Sequence, residues 1–88
     1  MKKSKKERLT ELLDLPKEVV LDMPKVTAYG DTQVTVENYG GILEYSGEHI
    51  RLKTSGKSIG ISGSGLELRT ITDIDVLVEG NIEQICFL

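Results

Sequence analysis

The chain has 88 residues, of which 39% are hydrophobic and 28% charged, with one cysteine, one histidine and no tryptophan. A domain of this size buries only about 60–65% of the surface that its unfolded chain exposes, which leaves a modest core and little room for a deep active site. The composition therefore favours one small globular domain and argues against an elaborate enzyme.

The net charge of −3 hides an uneven distribution along the chain. Among residues 1–8 there are five cations and one carboxylate, a local charge of +4, so the remaining residues sum to −7. An acidic body with a basic tip does not fit a general nucleic-acid binder, which needs a basic face. We therefore expect no nucleic-acid partner.

Cellular compartment is indicated by three features of the sequence. The single cysteine, Cys86, excludes an internal disulfide framework and fits a reducing compartment. The longest apolar run, residues 85–88, is far shorter than the roughly 20 residues of a spanning helix. The lysine-rich start leads into Glu11 and Asp14 instead of the apolar stretch of a signal peptide. A cytoplasmic protein is expected.

Residues 1–23 read as a basic arm with short helical pieces. Ser4 and Glu7 have the spacing of a capping box, and leucines recur at helical spacing after them, which predicts a short amphipathic helix over residues 5–14. A helical turn is predicted after Pro16, and Pro24 ends it. A helix this short is marginal alone, so it must dock on its own sheet, on a partner protein or on a membrane surface. The candidate contact residues of the arm are Lys2, Lys3, Lys5, Lys6, Arg8, Leu9, Leu12 and Leu13.

Residues 24–88 read as an all-β domain, because the hydrophobic period changes to two. Short strands are predicted at residues 26–29, 33–37, 42–46, 49–53, 58–62, 66–72, 74–79 and 82–88, separated by glycine-rich turns at 63–65 and 80–81 among others. The connections are too short for parallel crossovers. The predicted fold is mainly β: an antiparallel meander of about seven to eight short strands, as a curled sheet, small sandwich or barrel, with a stacked solenoid as the competing architecture.

Two places interrupt the alternation of apolar and polar residues. The apolar phase slips between Leu68 and Ile71, which indicates a bulge or strand break near Thr70. The last strand is apolar at successive positions and looks buried on both faces. It either closes the domain's own core or pairs with another chain, and its candidate edge-strand contacts are Ile82, Ile85, Phe87 and Leu88.

Constellations of catalytic or metal-binding residues are not found in the sequence. His49 lies in a strand that alternates into solvent, and one histidine with one cysteine cannot supply a zinc site. Asp73 and Asp75 are predicted on the same side of a strand, as solvent-face charges flanking Ile74. The glycine-rich run of residues 60–65 leads into a strand, which favours a hairpin turn over a phosphate-binding loop. No catalytic residue, metal or cofactor is predicted.

Four segments of the chain resemble one family. They are the lysine-rich start with residues 13–27 (LDLPKEVVLDMPKVT), residues 36–43 (VENYGGIL), residues 50–52 (IRL) and residues 78–85 (VEGNIEQI). Together they resemble the YabP/YqfC family of small sporulation proteins, and within it the YqfC branch. The resemblance implies a non-enzymatic protein of endospore-forming bacteria, made in the mother cell, linked to spore coat or envelope assembly and acting beside a membrane-anchored sporulation partner.

Two functions follow as hypotheses. In the first, the β domain is an interaction module that contacts a membrane-anchored sporulation protein or forms a homo-oligomer, with peripheral contact to the forespore envelope. In the second, it binds an anionic or saccharide ligand of the spore envelope on exposed Tyr29, Tyr39 and Tyr45. The second hypothesis requires at least two of these rings on one concave face.

Overall fold

The computed structural model describes residues 23–88, which form six antiparallel β-strands. The strands are β1 (Lys25–Tyr29), β2 (Gln33–Glu37), β3 (Gly41–Tyr45), β4 (His49–Lys53), β5 (Ile59–Ile71) and β6 (Asp75–Phe87). They lie in one sheet in the order β1-β2-β6-β5-β4-β3. The sheet is thus built on a central hairpin of two 13-residue strands, with a short hairpin attached to each side.

The two short hairpins attach to opposite halves of the long one. β2 pairs with the first five residues of β6, and β4 pairs with the first four residues of β5. The turn of each short hairpin adds hydrogen bonds to the middle of the long strands: Ile82 N donates to Asp31 O over 2.8 Å, and Leu66 N donates to Gly47 O over 2.8 Å. In one half of the long hairpin β6 is therefore flanked by β2, and in the other half β5 is flanked by β4, so within residues 23–88 each half has a further strand on one side only.

One face of the sheet carries the hydrophobic core. The core residues come from both halves of the sheet and form one contact cluster: Val34, Val36, Ile50, Leu52, Ile59, Ile61, Leu66, Val76, Val78 and Ile82. They follow from the period-2 alternation, since in β2 and β4 every second side chain is buried and those between remain accessible.

Three register shifts along the long hairpin change which residues face the core. They lie between Ser62/Gly63, Ser64/Glu67 and Leu68/Thr70 of β5. Because each extra residue moves the following side chains to the other face, the buried positions change from odd (Ile59, Ile61) to even (Leu66) within β5. Bulges also bend a strand pair, so these shifts curve the hairpin where its two halves meet.

The connection between β2 and β3 shows how far the long hairpin is bent. Tyr39 N lies 3.4 Å from Ile74 O, in the turn between β5 and β6, whereas the next amide, Gly40 N, donates over 2.6 Å to Lys53 O at the end of β4. Lys53 lies near the start of β5, and Ile74 lies just beyond the end of β5. The consecutive amides of Tyr39 and Gly40 therefore connect the open end of the long hairpin to its turn. The sheet is therefore folded back on itself, and its core-facing side closes around the cluster.

Two glycines let the backbones of β5 and β6 approach closely at the bend. A Cβ on Gly63 would lie 1.9 Å from the carbonyl oxygen of Asn81, and one on Gly80 would lie 2.6 Å from the carbonyl oxygen of Gly65. Gly80 also has a φ of +143°, which L side chains rarely adopt. Any side chain at these two positions would push the strands apart.

The structure confirms part of the predicted fold and corrects the rest. The mainly β class, the antiparallel pairing and the bulge near Thr70 are confirmed, and the six strands lie in one open sheet. The number of strands was wrong, because residues 63–65 and 80–81 are not turns but the bulged middle of β5 and β6. The solenoid alternative is excluded by the sheet order for residues 23–88. The predicted N-terminal helix lies outside the described residues.

Candidate interaction surface

The end of β6 is the part of the predicted contact surface that the structure describes. Ile82 is buried in the core, and Ile85 is half-buried and packs against it. Phe87 and Leu88 each remain 61% exposed. The prediction that the last strand is buried on both faces was therefore wrong at its end: Phe87 pairs with Ile59, the first residue of β5, at the end of the sheet, where its side chain stays exposed. The candidate residues from Lys2 to Leu13 lie outside the described residues.

A cavity of about 340 Å³ lies beside Phe87. Its walls come from the start of β1 and from the turn between β4 and β5, and its lining residues are Met23, Pro24, Thr54, Ser55, Gly56, Lys57 and Phe87. Met23 is 48% exposed, so two large apolar side chains meet solvent at this cavity. Apolar side chains exposed around a hollow are typical of protein-binding surfaces.

The turn that forms one wall of this cavity is held by a buried threonine. Thr54 Oγ1 donates to Lys57 O over 2.6 Å and accepts from Gly56 N over 3.0 Å, and Thr54 is the only polar residue among residues 23–88 that is buried. Both hydrogen bonds are local, so the shape of the turn is fixed within four residues. Lys57 is the only charged residue among those that line the cavity in the described part of the chain.

A second, smaller hollow of about 160 Å³ lies on the outer face of the sheet. Its floor is Gly60, where an added Cβ would lie 3.0 Å from Leu88 Cδ1 and 3.3 Å from Cys86 Sγ. His49 Nδ1 lies 3.3 Å from Ser62 Oγ on this face, and the register places Cys86 in a different cross-strand row, opposite Gly60. His49 is exposed in a strand, as predicted.

The outer face of the other half of the sheet is polar. Gln33 Nε2 donates to Glu79 Oε2 over 2.6 Å, and Arg69 bridges Glu79 and Glu67 at 3.1 Å each. Asp73 lies in the turn before β6 and not on a strand, so the predicted pairing with Asp75 on one strand face was wrong. Asp75 instead accepts a hydrogen bond from the Thr72 hydroxyl. Within residues 23–88 no group of three or more His, Cys, Asp or Glu side chains is arranged to hold a metal.

The three tyrosines do not share one face. Tyr45 lies opposite the buried Ile50 and so points to the core side, whereas Tyr29 alternates with Ala28, which lies opposite the buried Val34, and so points outward. Tyr39 packs against the core, and its hydroxyl donates to Thr72 O over 2.7 Å. Two of the three rings, Tyr39 and Tyr45, thus lie on the core-facing side and Tyr29 on the outer one, so the saccharide hypothesis stays an untested prediction.

Comparison with known proteins gives the family of the chain. The family model described as "YabP family" matches residues 22–88, which include every strand of the sheet. The chain belongs to this family. It is also 30% identical over 80 residues to "Uncharacterized protein YqfC" of Bacillus subtilis (strain 168), a match that covers 91% of this chain and 86% of that protein. No solved structure matches.

Of the described residues that line the cavity, the sequence singles out Phe87 alone as a candidate contact, and it does not predict the other wall. The sequence predicts Pro24 as the end of a helical turn and residues 55–57 as a turn between strands. Pro24 does precede the first strand directly, which is the one local signal that this segment is extended. Their meeting with Phe87 depends on the folding back of the sheet, which no local pattern encodes. Among the residues described, none form a helix long and apolar enough to cross a bilayer.

Proposed function

We propose that the protein is a non-enzymatic sporulation protein that acts in spore coat or envelope assembly in the mother cell. In this role the β domain is an interaction module that sits in the cytoplasm, peripheral to the forespore envelope, beside a membrane-anchored sporulation partner. Membership in the YabP family supports the sporulation setting. The observation that carries the interaction role is the apolar cavity at the end of β6, with Phe87 and Met23 exposed beside it.

The chemistry of the cavity favours a protein partner. Its described lining combines two exposed apolar side chains with a turn whose polar threonine is already satisfied, so it offers contact area more than directed hydrogen bonds. An aromatic side chain such as Phe87 contributes most of its contact area through burial, at about 25 cal/mol per Å² of apolar surface. A partner that inserts an apolar side chain here would bury Phe87 and Met23 together.

The test is a pull-down from sporulating cells with tagged full-length protein, together with fluorescence localisation. The variant is Phe87→Ser, and the matched control is Tyr29→Ser, which removes a ring of similar exposure from the far end of β1. We expect Phe87→Ser to lose its partners and its localisation, and Tyr29→Ser to retain both. Equal behaviour of the two variants at equal protein level would rule out the cavity as the contact surface.

The basic arm is tested separately by deleting residues 1–14. If partners and localisation are unchanged in this deletion, the arm has no part in the assembly role. A homo-oligomer formed through the end of β6 would appear in light scattering as a change of mass that Phe87→Ser abolishes, and this result would identify the partner as a second copy.

A further inference from the structure

One side of the folded sheet is left open between β3 and the second half of β5. β3 is the last strand of the sheet, and β4 pairs with residues 59–62 of β5, so among residues 23–88 the segment 67–71 of β5 has a strand neighbour on the β6 side alone. Two tyrosines show that these two unpaired edges run beside each other. Tyr45 at the end of β3 reaches Leu68, and Tyr39 just before β3 reaches Thr72.

The opening is closed at one end and wide at the other. At the closed end, the backbone of residues 38–39 hydrogen-bonds directly to Ile74 O. At the wide end the link is the Tyr45 hydroxyl, which accepts from Leu68 N over 3.3 Å. A tyrosine hydroxyl lies about 6.5 Å from its own Cα, so the two backbones are separated there by up to about 10 Å, or about two strand spacings. At its widest, with the tyrosine side chain fully extended, the gap equals the spacing that one additional strand needs.

Apolar side chains line this opening on the core-facing side of the sheet. The register places Ile42 opposite Leu52, Tyr45 opposite Ile50 and Ile71 opposite Val76, and each of these opposite residues is buried. Ile42, Tyr45 and Ile71 are nevertheless 39%, 53% and 55% exposed. They have the orientation of core residues, but no other segment within the described part of the chain covers them on this side.

At Leu68 the backbone amide of β5 is also not paired with another strand among residues 23–88. Leu68 N points away from β6 and has a side-chain hydroxyl as its acceptor, where a paired strand would supply a backbone carbonyl. An unpaired edge with exposed apolar side chains is the geometry at which extended peptides add to a sheet. The Tyr45 hydroxyl occupies the place of the missing carbonyl.

The charges around the opening select the partner. Four carboxylates lie on the adjoining segments, against three cations, of which the two arginines already pair with two of the carboxylates: Glu44, Glu67, Asp73 and Asp75 against Arg51, Lys53 and Arg69. A second copy that docked through this same face would bring the same acidic border. Like charges facing each other disfavour that pairing. A segment with basic ends is favoured.

We propose that this opening binds an extended segment of a partner protein, of about five residues at about 3.3 Å each, with alternating apolar side chains and basic flanks. The segment pairs with the β5 edge at Leu68, its carbonyl replaces the Tyr45 hydroxyl, and its apolar side chains cover Ile42 and Ile71. This inference does not rest on the cavity beside Phe87, so Phe87→Ser leaves it intact.

The test uses the full-length protein, labelled with ¹⁵N, and the synthetic peptide Lys-Val-Thr-Val-Thr-Val-Lys as probe. Amide hydrogen exchange is followed by NMR with and without the peptide. We expect the Leu68 amide to exchange rapidly in the free protein and at least about tenfold more slowly with saturating peptide, because a backbone carbonyl in a paired strand protects it. Tyr45→Phe should speed exchange of the Leu68 amide in the free protein and should leave the affinity for the peptide unchanged.

Matched variants separate this site from other edges. Ile71→Lys places a charge in the opening and should weaken peptide binding by about tenfold or more, whereas Tyr29→Lys, at the β1 edge and of similar exposure, should leave it unchanged. The acidic peptide Glu-Val-Thr-Val-Thr-Val-Glu should bind about tenfold more weakly than the basic one.

Three results would overturn the proposal. Slow exchange of Leu68 in the free, dilute protein that persists in Tyr45→Phe would mean that the chain's own residues fill the opening. Protection that grows with protein concentration in the absence of peptide would identify a second copy as the occupant. Peptide binding that leaves Leu68 unprotected, or that Ile71→Lys and Tyr29→Lys affect equally, would place the binding elsewhere.

Discussion

Replacing Gly63 by alanine tests the bend of the long hairpin directly. The added Cβ would lie 1.9 Å from the carbonyl oxygen of Asn81 and 3.0 Å from its carbonyl carbon. Carbon and oxygen atoms that are not bonded pack best at about 3.5 Å, so β5 and β6 must move apart by more than about 1 Å. The atoms in the way belong to the backbone, and no side-chain rotation relieves the contact.

The cost of Gly63→Ala follows from these distances. Overpacking of a filled site costs about 1–3 kcal/mol, and separating the strands weakens neighbouring ladder hydrogen bonds that contribute about 1 kcal/mol each. Alanine also lowers the conformational entropy of the unfolded chain, which offsets about 0.4–1 kcal/mol of this loss in the free energy of unfolding. We therefore expect a loss of about 3 kcal/mol, against a total stability of about 5–10 kcal/mol for a domain of this size. The corresponding fall in Tm is about 12–24 °C.

Urea unfolding followed by far-UV circular dichroism measures this loss, since the chain has no tryptophan. Two glycines of the same chain are controls. Gly60→Ala meets only the side-chain ends of Leu88 and Cys86, and Leu88 is exposed enough to rotate away. Gly47→Ala meets no atom within 4 Å. Both should stay within about 1 kcal/mol of wild type, and a Gly63→Ala variant equally close to wild type would refute the bend.

Three further substitutions test the contacts that hold the ends of the sheet, each by urea unfolding. Tyr39→Phe removes the hydroxyl that donates to Thr72 O and should cost about 1 kcal/mol; no measurable loss would mean that this bridge contributes nothing. Thr54→Val leaves the Gly56 amide and the Lys57 carbonyl without their hydroxyl partner and should cost about 1–3 kcal/mol, a value that a mere surface turn would not reach. Arg69→Ala breaks two exposed ion pairs and should cost less than about 1 kcal/mol, with no difference left at about 1 M salt; a larger or salt-independent loss would contradict the exposed geometry.

Local alternation was sufficient to predict the short strands. β1, β2 and β4 lie within one residue of the predicted segments, because each has one buried face and a period of two specifies which residues face inward. The bulge near Thr70 was predictable for the same reason, since a change of phase is itself visible in the sequence. These features depend on neighbours within a few residues.

The glycine-rich segments show where local reasoning fails. Turns and bulged strands both need glycine, so residues 63–65 fit either, and composition alone favours the commoner turn. The phase of the apolar residues carried the distinguishing signal. In the structure Leu66 and Leu68 still face the core, but their phase differs from that of Ile59 and Ile61 because of the register shifts between them. A turn at residues 63–65 would reverse the chain and would need no such change of phase within one strand.

The open side between β3 and β5 was beyond the reach of the sequence for a different reason. Ile42 and Ile71 sit in the same apolar alternation as Leu52 and Val76, and the pattern assigns all four to one core. What separates them is the position of a strand within the sheet: Leu52 and Val76 lie on strands with neighbours on both sides, and Ile42 lies on the last strand. Burial at a sheet edge is a property of the order of strands, which is set by contacts between residues far apart in the chain. An apolar residue with core orientation and high exposure is therefore detectable only once the sheet order is known, and that combination marks the opening as a place for another strand.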